Sequence, residues 1–236
     1  MIHVTIKAIL FDKDGTLLDF EKTWGPTMVQ VIDQLTEGDE TKAQTIADSI
    51  LFDRESQTFG PGSTFVVDGP QIFASAWAEI LGRAPGDEFC QKIDEMFVAP
   101  SLEFATPFLT TRGTLRYLRE HGFTLGIGTN DSEEGARAQA DKLGFTKHMA
   151  FIAGHNSGHG AKPAPGMVFA FAETTGYAVN EIAMVGDSAH DMLTGQNAGA
   201  TSIGVLTGQS SRDDLAPHAD HILESIAELP ALLKLF

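Results

Sequence analysis

Short apolar runs rich in β-branched residues alternate along the chain with stretches whose apolar positions recur every three or four residues. The first pattern predicts buried strands and the second predicts amphipathic helices. Strands are expected at Ile6–Phe11, Phe123–Thr129, Met149–Ala153, Ile182–Gly186 and Thr201–Val205. Helices are expected at Thr114–Glu120, Ser132–Leu143, Pro165–Thr175 and Ser188–Ala198. Gly122, Gly144 and Gly176 follow three of these helices, where a left-handed cap favours glycine. Ser132 and Ser188 open two others and can accept from their free amide groups. Repetition of strand and helix is the order of a parallel sheet covered by helices.

Residues 17–103 break that order. Trp24, Met28, Ile32 and Leu35 fall on one helical face, with Thr23 as the expected N-cap and Gly38 as the stop. A second face joins Ile72, Phe73, Ala76, Trp77, Ile80 and Leu81, with Pro70 near the first turn and Gly82 beyond the last. A third joins Phe89, Ile93, Met96 and Phe97. The Gly- and Pro-rich segment FGPGSTFVVDGP between them reads as a loop. A helical insert therefore interrupts an α/β domain after its first strand, giving a core of residues 1–16 and 104–236 that is discontinuous in sequence.

Composition narrows the partners. Of 236 residues, 42% are hydrophobic and 20% charged, enough apolar material for a sizeable core. Sixteen basic residues face thirty-two acidic ones, a formal net charge of −16. No basic stripe is present, so a nucleic-acid partner is not expected. The one cysteine, Cys90, excludes an internal disulfide and any multi-cysteine metal site. It lies on the third helical face and reads as a small buried hydrophobe. No apolar run approaches the ~20 residues that span a bilayer, and MIHVTIKAILFDKDG does not match a signal peptide. A cytoplasmic protein without a membrane partner is expected.

The chemistry-bearing residues collect after the strands. Asp12 and Asp14, in FDKDGTL, leave the first strand one residue apart; in a doubly wound sheet, ligands bind at that end. Two crowded carboxylates need a cation or a shared proton. Alternation points Lys13 away from them, toward a surface or packing position. Thr129 and Asn130 close the second strand with a hydroxyl and an amide suited to an anion. Lys162 stands in the turn KPAPG, stiffened by its prolines. Asp187 and Asp191, in GDSAHD, follow a further strand. Each group alone is compatible with an ordinary turn or helix cap; four strand ends carrying them together are better explained by acids holding a hard cation while Thr129, Asn130 and Lys162 hold phosphoryl oxygens.

In this order FDKDGTL, GTN, KPAPG and GDSAHD resemble the four motifs of the haloacid dehalogenase superfamily, in particular its phosphatases of the phosphoglycolate phosphatase type. The insert at 17–103 lies where that family carries its C1 cap. The resemblance implies a Rossmann-like three-layer α/β core with a parallel sheet and an all-helical C1 cap domain. It also implies Mg²⁺-dependent hydrolysis of a small phosphorylated metabolite, by a monomer or homodimer. Asp12 becomes the nucleophile that is phosphorylated, and Asp14 the general acid and then the general base. Thr129, Asn130 and Lys162 bind phosphate. Mg²⁺ is held by the Asp12 and Asp187 carboxylates and the Asp14 main-chain carbonyl, with Asp191 acting further out at the metal, through water. A cap that closes over the substrate excludes bulk water.

The acid at position 14 disfavours the family's dehalogenases, which lack an acid there, and also its phosphonate-cleaving branch, in which a cap lysine forms a Schiff base. A sugar-phosphate mutase shares it and stays open as the enzymatic alternative. A receiver-type phosphoacceptor also uses acids, Mg²⁺, a hydroxyl and a lysine, but without an inserted cap. Arg54, in SILFDRESQTFG, is the cap residue whose guanidinium could meet a substrate carboxylate or phosphate; its bland reading is a solvated arginine at a helix end. His155 and His159 sit among glycines and read as loop residues rather than a zinc pair. Trp24 and Trp77 read as core.

Overall fold

The computed structural model describes residues 6–67 and 70–234. In chain order its strands are β1 (Ala8–Phe11), β2 (Phe52–Asp53), β3 (Thr58–Phe59), β4 (Thr124–Gly128), β5 (Met149–Ala153), β6 (Ile182–Gly186), β7 (Thr201–Val205) and β8 (His221–Leu223). The chain divides into two compact units, 1–19 with 107–236, and 20–106.

The first unit is built on one sheet of order β5-β4-β1-β6-β7-β8, parallel throughout. β1 and β6 are buried at every position, which is why AILF and IAMVG read as unbroken apolar runs: central parallel strands are covered on both faces. Helices Thr111–Glu120, Glu133–Lys142, Gly166–Thr175 and Ala189–Ala198 connect and cover the strands. Phe171 and Met167 from the third of these pack with Leu10, Ile182 and Met184 of the sheet. Ser132 accepts from Gly135 N at 3.1 Å, and Ser188 forms a reciprocal capping box with Asp191. Gly122, Gly144 and Gly176 have φ of 89°, 72° and 74°. β8 and its pairing with β7 extend the sheet beyond the last strand legible in the sequence.

Among the described residues the second unit has four longer helices, Phe20–Thr36, Glu40–Ser49, Pro70–Ile80 and Asp87–Phe104. Their centre is an aromatic cluster: Trp77 lies 4.8 Å from Phe73 between ring centroids, and Trp24 lies 5.7 Å from Phe97. Both tryptophans are buried, and Cys90 is half-buried against the same cluster. Thr23 is not an N-cap. The helix starts at Phe20, and Thr23 is buried inside it, where its hydroxyl accepts from Thr106 N at 3.2 Å. The FGPGSTFVVDGP segment is more ordered than a loop, since it supplies Phe59 of β3 and a short helix, Thr64–Val67. Asp68 and Gly69 of that segment, and the side chain of Ile72, lie outside the described residues. To the helices is added the β2–β3 hairpin. Among the described residues no helix is long and apolar enough to cross a membrane.

Candidate active site

Register assembles the site. Phe11 pairs with Ile127 on one side and Val185 on the other, so Asp12 emerges between the ends of β4 and β6. The chain runs outward from β1 through β4 to β5 and then returns to β6 across β1. That reversal opens the crevice in which open α/β sheets bind ligands.

Lys162 is buried there and serves two acids: Nζ donates to Asp12 Oδ1 at 2.5 Å and to Asp191 Oδ1 at 2.6 Å. Its main chain is latched by Asn130, whose Nδ2 donates to Lys162 O at 3.1 Å and whose Oδ1 accepts from Lys162 N at 2.8 Å. The Asn130 carboxamide is therefore committed to placing the lysine, which leaves its main-chain N–H as the amide able to meet an anion. Thr129 is buried, and its hydroxyl accepts from Asp131 N at 3.1 Å, which leaves the hydroxyl proton to donate elsewhere. Asp191 Oδ2 accepts from Ser188 N at 3.0 Å and Ser188 Oγ at 2.6 Å, so one residue both caps its helix and holds the lysine.

Asp12, Asp187 and Asp191 offer carboxylate oxygens within 4.8 Å of one another. With all three ionised, Lys162 as their cation would leave two negative charges uncompensated, which is why the acids resist ionising without a further cation. Burial pushes Asp12 up to about 7 against the pull of Lys162, with Asp191 and Asp14 adding to the rise. Asp187 stands well above the ordinary carboxylate range, through burial and then repulsion from Asp12 and Asp191. For Lys162, burial opposes the charge, but Asp12 and Asp191 outweigh it and hold the ammonium above the usual lysine range. An all-oxygen donor set with two charges in excess fits a hard divalent cation. Asp191 stands among the three converging carboxylates with Oδ1 on Lys162 and Oδ2 on Ser188.

Thr207 and Gly208 carry no functional signal in the sequence, whereas Gly15 and Thr16 lie within FDKDGTL. Thr16 Oγ1 donates to Asp187 Oδ1 at 3.0 Å, and Thr207 Oγ1 donates to Gly15 O at 2.6 Å. Gly15, at φ 80°, and Gly208 both press on Asp187: a Cβ at either position would run into its carboxylate. Gly208 has no motif to announce it.

Lys13 is the clearest departure. It is buried, and instead of pointing away from both acids its Nζ lies 2.6 Å from Asp14 Oδ2 and 3.0 Å from Asp131 Oδ2 while donating to Gln139 Oε1 at 2.5 Å. Alternation fails because the chain has left the strand. Leu17 N and Leu18 N both donate to Lys13 O, at 2.8 and 2.9 Å, so Asp12–Leu18 is a turn in which side chains no longer alternate. Asp14 is thereby drawn to Lys13, and the described carboxylate cluster does not include it.

Arg54 lies in the turn between β2 and β3 rather than at a helix end. It donates to Glu40 Oε2 at 2.8 Å and Asp33 Oδ1 at 2.9 Å, all within the second unit. His155 and His159 stand in the turns after β5.

Comparison with known proteins agrees with this geometry. The chain is 26% identical over 235 residues to a phosphoglycolate phosphatase of Vibrio parahaemolyticus, covering 97% of this chain and 96% of the relative. It is 27% identical over 262 residues to a phosphonoacetaldehyde hydrolase of Lactiplantibacillus plantarum, covering 98% and 96%. A haloacid dehalogenase-like family hydrolase of Streptococcus pneumoniae shares the fold with a TM-score of 0.66 at 19% identity, covering 96% and 98%. The pattern of the haloacid dehalogenase-like hydrolases matches residues 6–199, through all four strand-end motifs, and the chain belongs to that family.

Proposed function

We propose that this protein is a Mg²⁺-dependent phosphatase that hydrolyses a small phosphate monoester through an aspartyl-phosphate on Asp12. The observation that carries the reading is Lys162 bound to both Asp12 and Asp191 with Asp187 alongside, at the switch point of the sheet. A carboxylate oxygen of Asp12 attacks phosphorus and the bond to the ester oxygen breaks. Asp14 gives that oxygen a proton, so an alcohol leaves rather than an alkoxide. Asp14 then takes a proton from the water that attacks phosphorus, which frees inorganic phosphate and restores Asp12. The Thr129 hydroxyl and the Asn130 main-chain N–H bind phosphoryl oxygens, and Lys162 offsets the charge shared by phosphate and Asp12. Asp12, Asp187 and the Asp14 carbonyl would hold the metal ion, with Asp191, whose oxygens bond Lys162 and Ser188, acting through water. When bound, the ion supplies charge compensation at the phosphoryl group.

The substrate class we propose is a phosphoglycolate-like acid or a sugar phosphate, supported by the name of the Vibrio relative. Residues 20–106 serve as a cap that sets selectivity, and Arg54 is its proposed contact with a substrate anion. That role requires its guanidinium to leave or share Asp33 and Glu40. The test is phosphate release from a panel of small esters, with Mg²⁺ and with a chelator. Metal-dependent release of inorganic phosphate is expected, with Arg54→Ala changing the ranking of esters more than the rate on an uncharged aryl ester. An isomerised sugar phosphate without free phosphate would instead indicate a mutase. Release that ignores the chelator would remove the metal from the mechanism.

A further inference from the structure

The Lys13 ammonium sits between Asp14 and Asp131, with Gln139 as a third, neutral partner. All four lie in the first unit, and three elements bring them together: the turn after β1, the turn after β4, and the helix Glu133–Lys142. Buried ion pairs are seldom more stabilising than apolar residues of the same volume, so stability alone is a weak reason for a lysine here. What the arrangement does achieve is orientation. Asp14 Oδ2 is taken by Lys13, while Asp14 Oδ1 is buried and has no hydrogen-bond partner among the described residues. The Asp131 carboxylate is itself fixed by Ser132 N, which donates to its Oδ1 at 2.7 Å. Gln139, buried, closes the far side.

We propose that Lys13 is a positioning residue that clamps Asp14 by Oδ2, anchored by Asp131 and Gln139, so that Oδ1 is the oxygen that exchanges a proton with the leaving alcohol. The inference rests on the role of Asp14 given above. As the phosphorus–oxygen bond breaks, its electron pair goes to the ester oxygen, and the proton on Asp14 Oδ1 passes to that oxygen. Asp14 is left as a carboxylate facing Lys13.

This role has a signature that a purely structural lysine lacks. Proton donation matters for a poor leaving group such as an alkoxide and little for p-nitrophenolate. The readout is kcat/KM, which reports the phosphorylation step, for p-nitrophenyl phosphate and for an alkyl phosphate such as glycerol phosphate. In Lys13→Met, folded by circular dichroism, kcat/KM for the alkyl ester should fall at least roughly ten-fold more than for the aryl ester, a share of the ~10²–10⁴ that a positioned acid contributes. Gln139→Met leaves the charges unchanged and should produce the same selective loss, smaller in size; it carries the test if Lys13→Met does not fold. Equal losses on both esters, or none, in the folded variants would overturn the proposal. Asp14→Asn is the control. If it too loses both esters equally, the acid role of Asp14 fails. If it is selective and the Lys13 and Gln139 variants are not, only the clamp fails.

Discussion

Lys162 supplies one positive charge to two buried carboxylates, so removing it does more than delete two hydrogen bonds. In Lys162→Met, Asp12 and Asp191 face each other without a cation, and the charge on a bound phosphoryl group is no longer offset. Turnover of any accepted ester should fall by roughly 10²–10³-fold, the cost of losing one preorganised electrostatic contact. Steady-state kinetics check this, and activity within a few-fold of wild type would show that the lysine is not part of the reaction. Asn130→Ala should give a milder version. It removes two hydrogen bonds to the Lys162 main chain, each contributing about 0.5–1.5 kcal/mol, and loosens the lysine without removing it; chemical denaturation and kinetics on the same variant measure both effects. Asp12, Asp187 and Asp191 are legible because each stands beside a turn or cap signal at the end of an apolar run, and Lys162 because prolines stiffen its turn. Lys13 is not, because the period of two ends at Phe11 and the turn that follows has no such period. The Asn130 carboxamide is not either: its partner lies 32 residues away in sequence, and only the packing of β4 against the Lys162 turn brings them together.

At the scale of elements, the loop after β7 reaches back to the turn after β1. Thr207 bonds Gly15, and Gly208 lies flat against Asp187. Gly208→Ala should push the Asp187 carboxylate aside and weaken metal binding while leaving the sheet intact. A thermal-shift titration with Mg²⁺ should show the half-point moving to higher concentration, at an unchanged melting temperature in chelator. An unchanged titration would mean that Asp187 does not hold the metal. In the second unit, Trp77→Ala should cost about 3–5 kcal/mol, as expected for emptying a large buried aromatic site; equilibrium denaturation measures it. The missed elements share one reason. Helix Glu40–Ser49 buries only Ala43, Ile46 and Ala47, a small-residue stripe with little contrast against its polar neighbours. β2 and β3 are two residues each, and β8 is three residues with no fully buried position, all too short for periodicity to register.

For the whole molecule, a net charge of −16 opposes the approach of a phosphate ester, and the acids of the site add to that field. The same acids link stability to pH and metal. The folded carboxyls of Asp12 and Asp187 are raised above their unfolded values, so the folded state binds more protons than the unfolded chain, and stability in chelator should fall as pH rises from near 4 through about 7. Mg²⁺ competes with those protons, so its stabilising effect should grow across the same range; melting temperatures at pH 5 and pH 8, with metal and with chelator, check both slopes. A Mg²⁺ effect that is the same at both pH values would separate the metal from these acids.

The proposed mechanism turns on phosphorylation of Asp12 during turnover. Rapid acid quench of the protein turning over a small phosphate ester with Mg²⁺, followed by peptide mass spectrometry, measures it most directly. A phosphoryl group is expected on the peptide bearing Asp12, absent in chelator, and absent together with phosphate release in Asp12→Asn. Undiminished phosphate release by Asp12→Asn would contradict it.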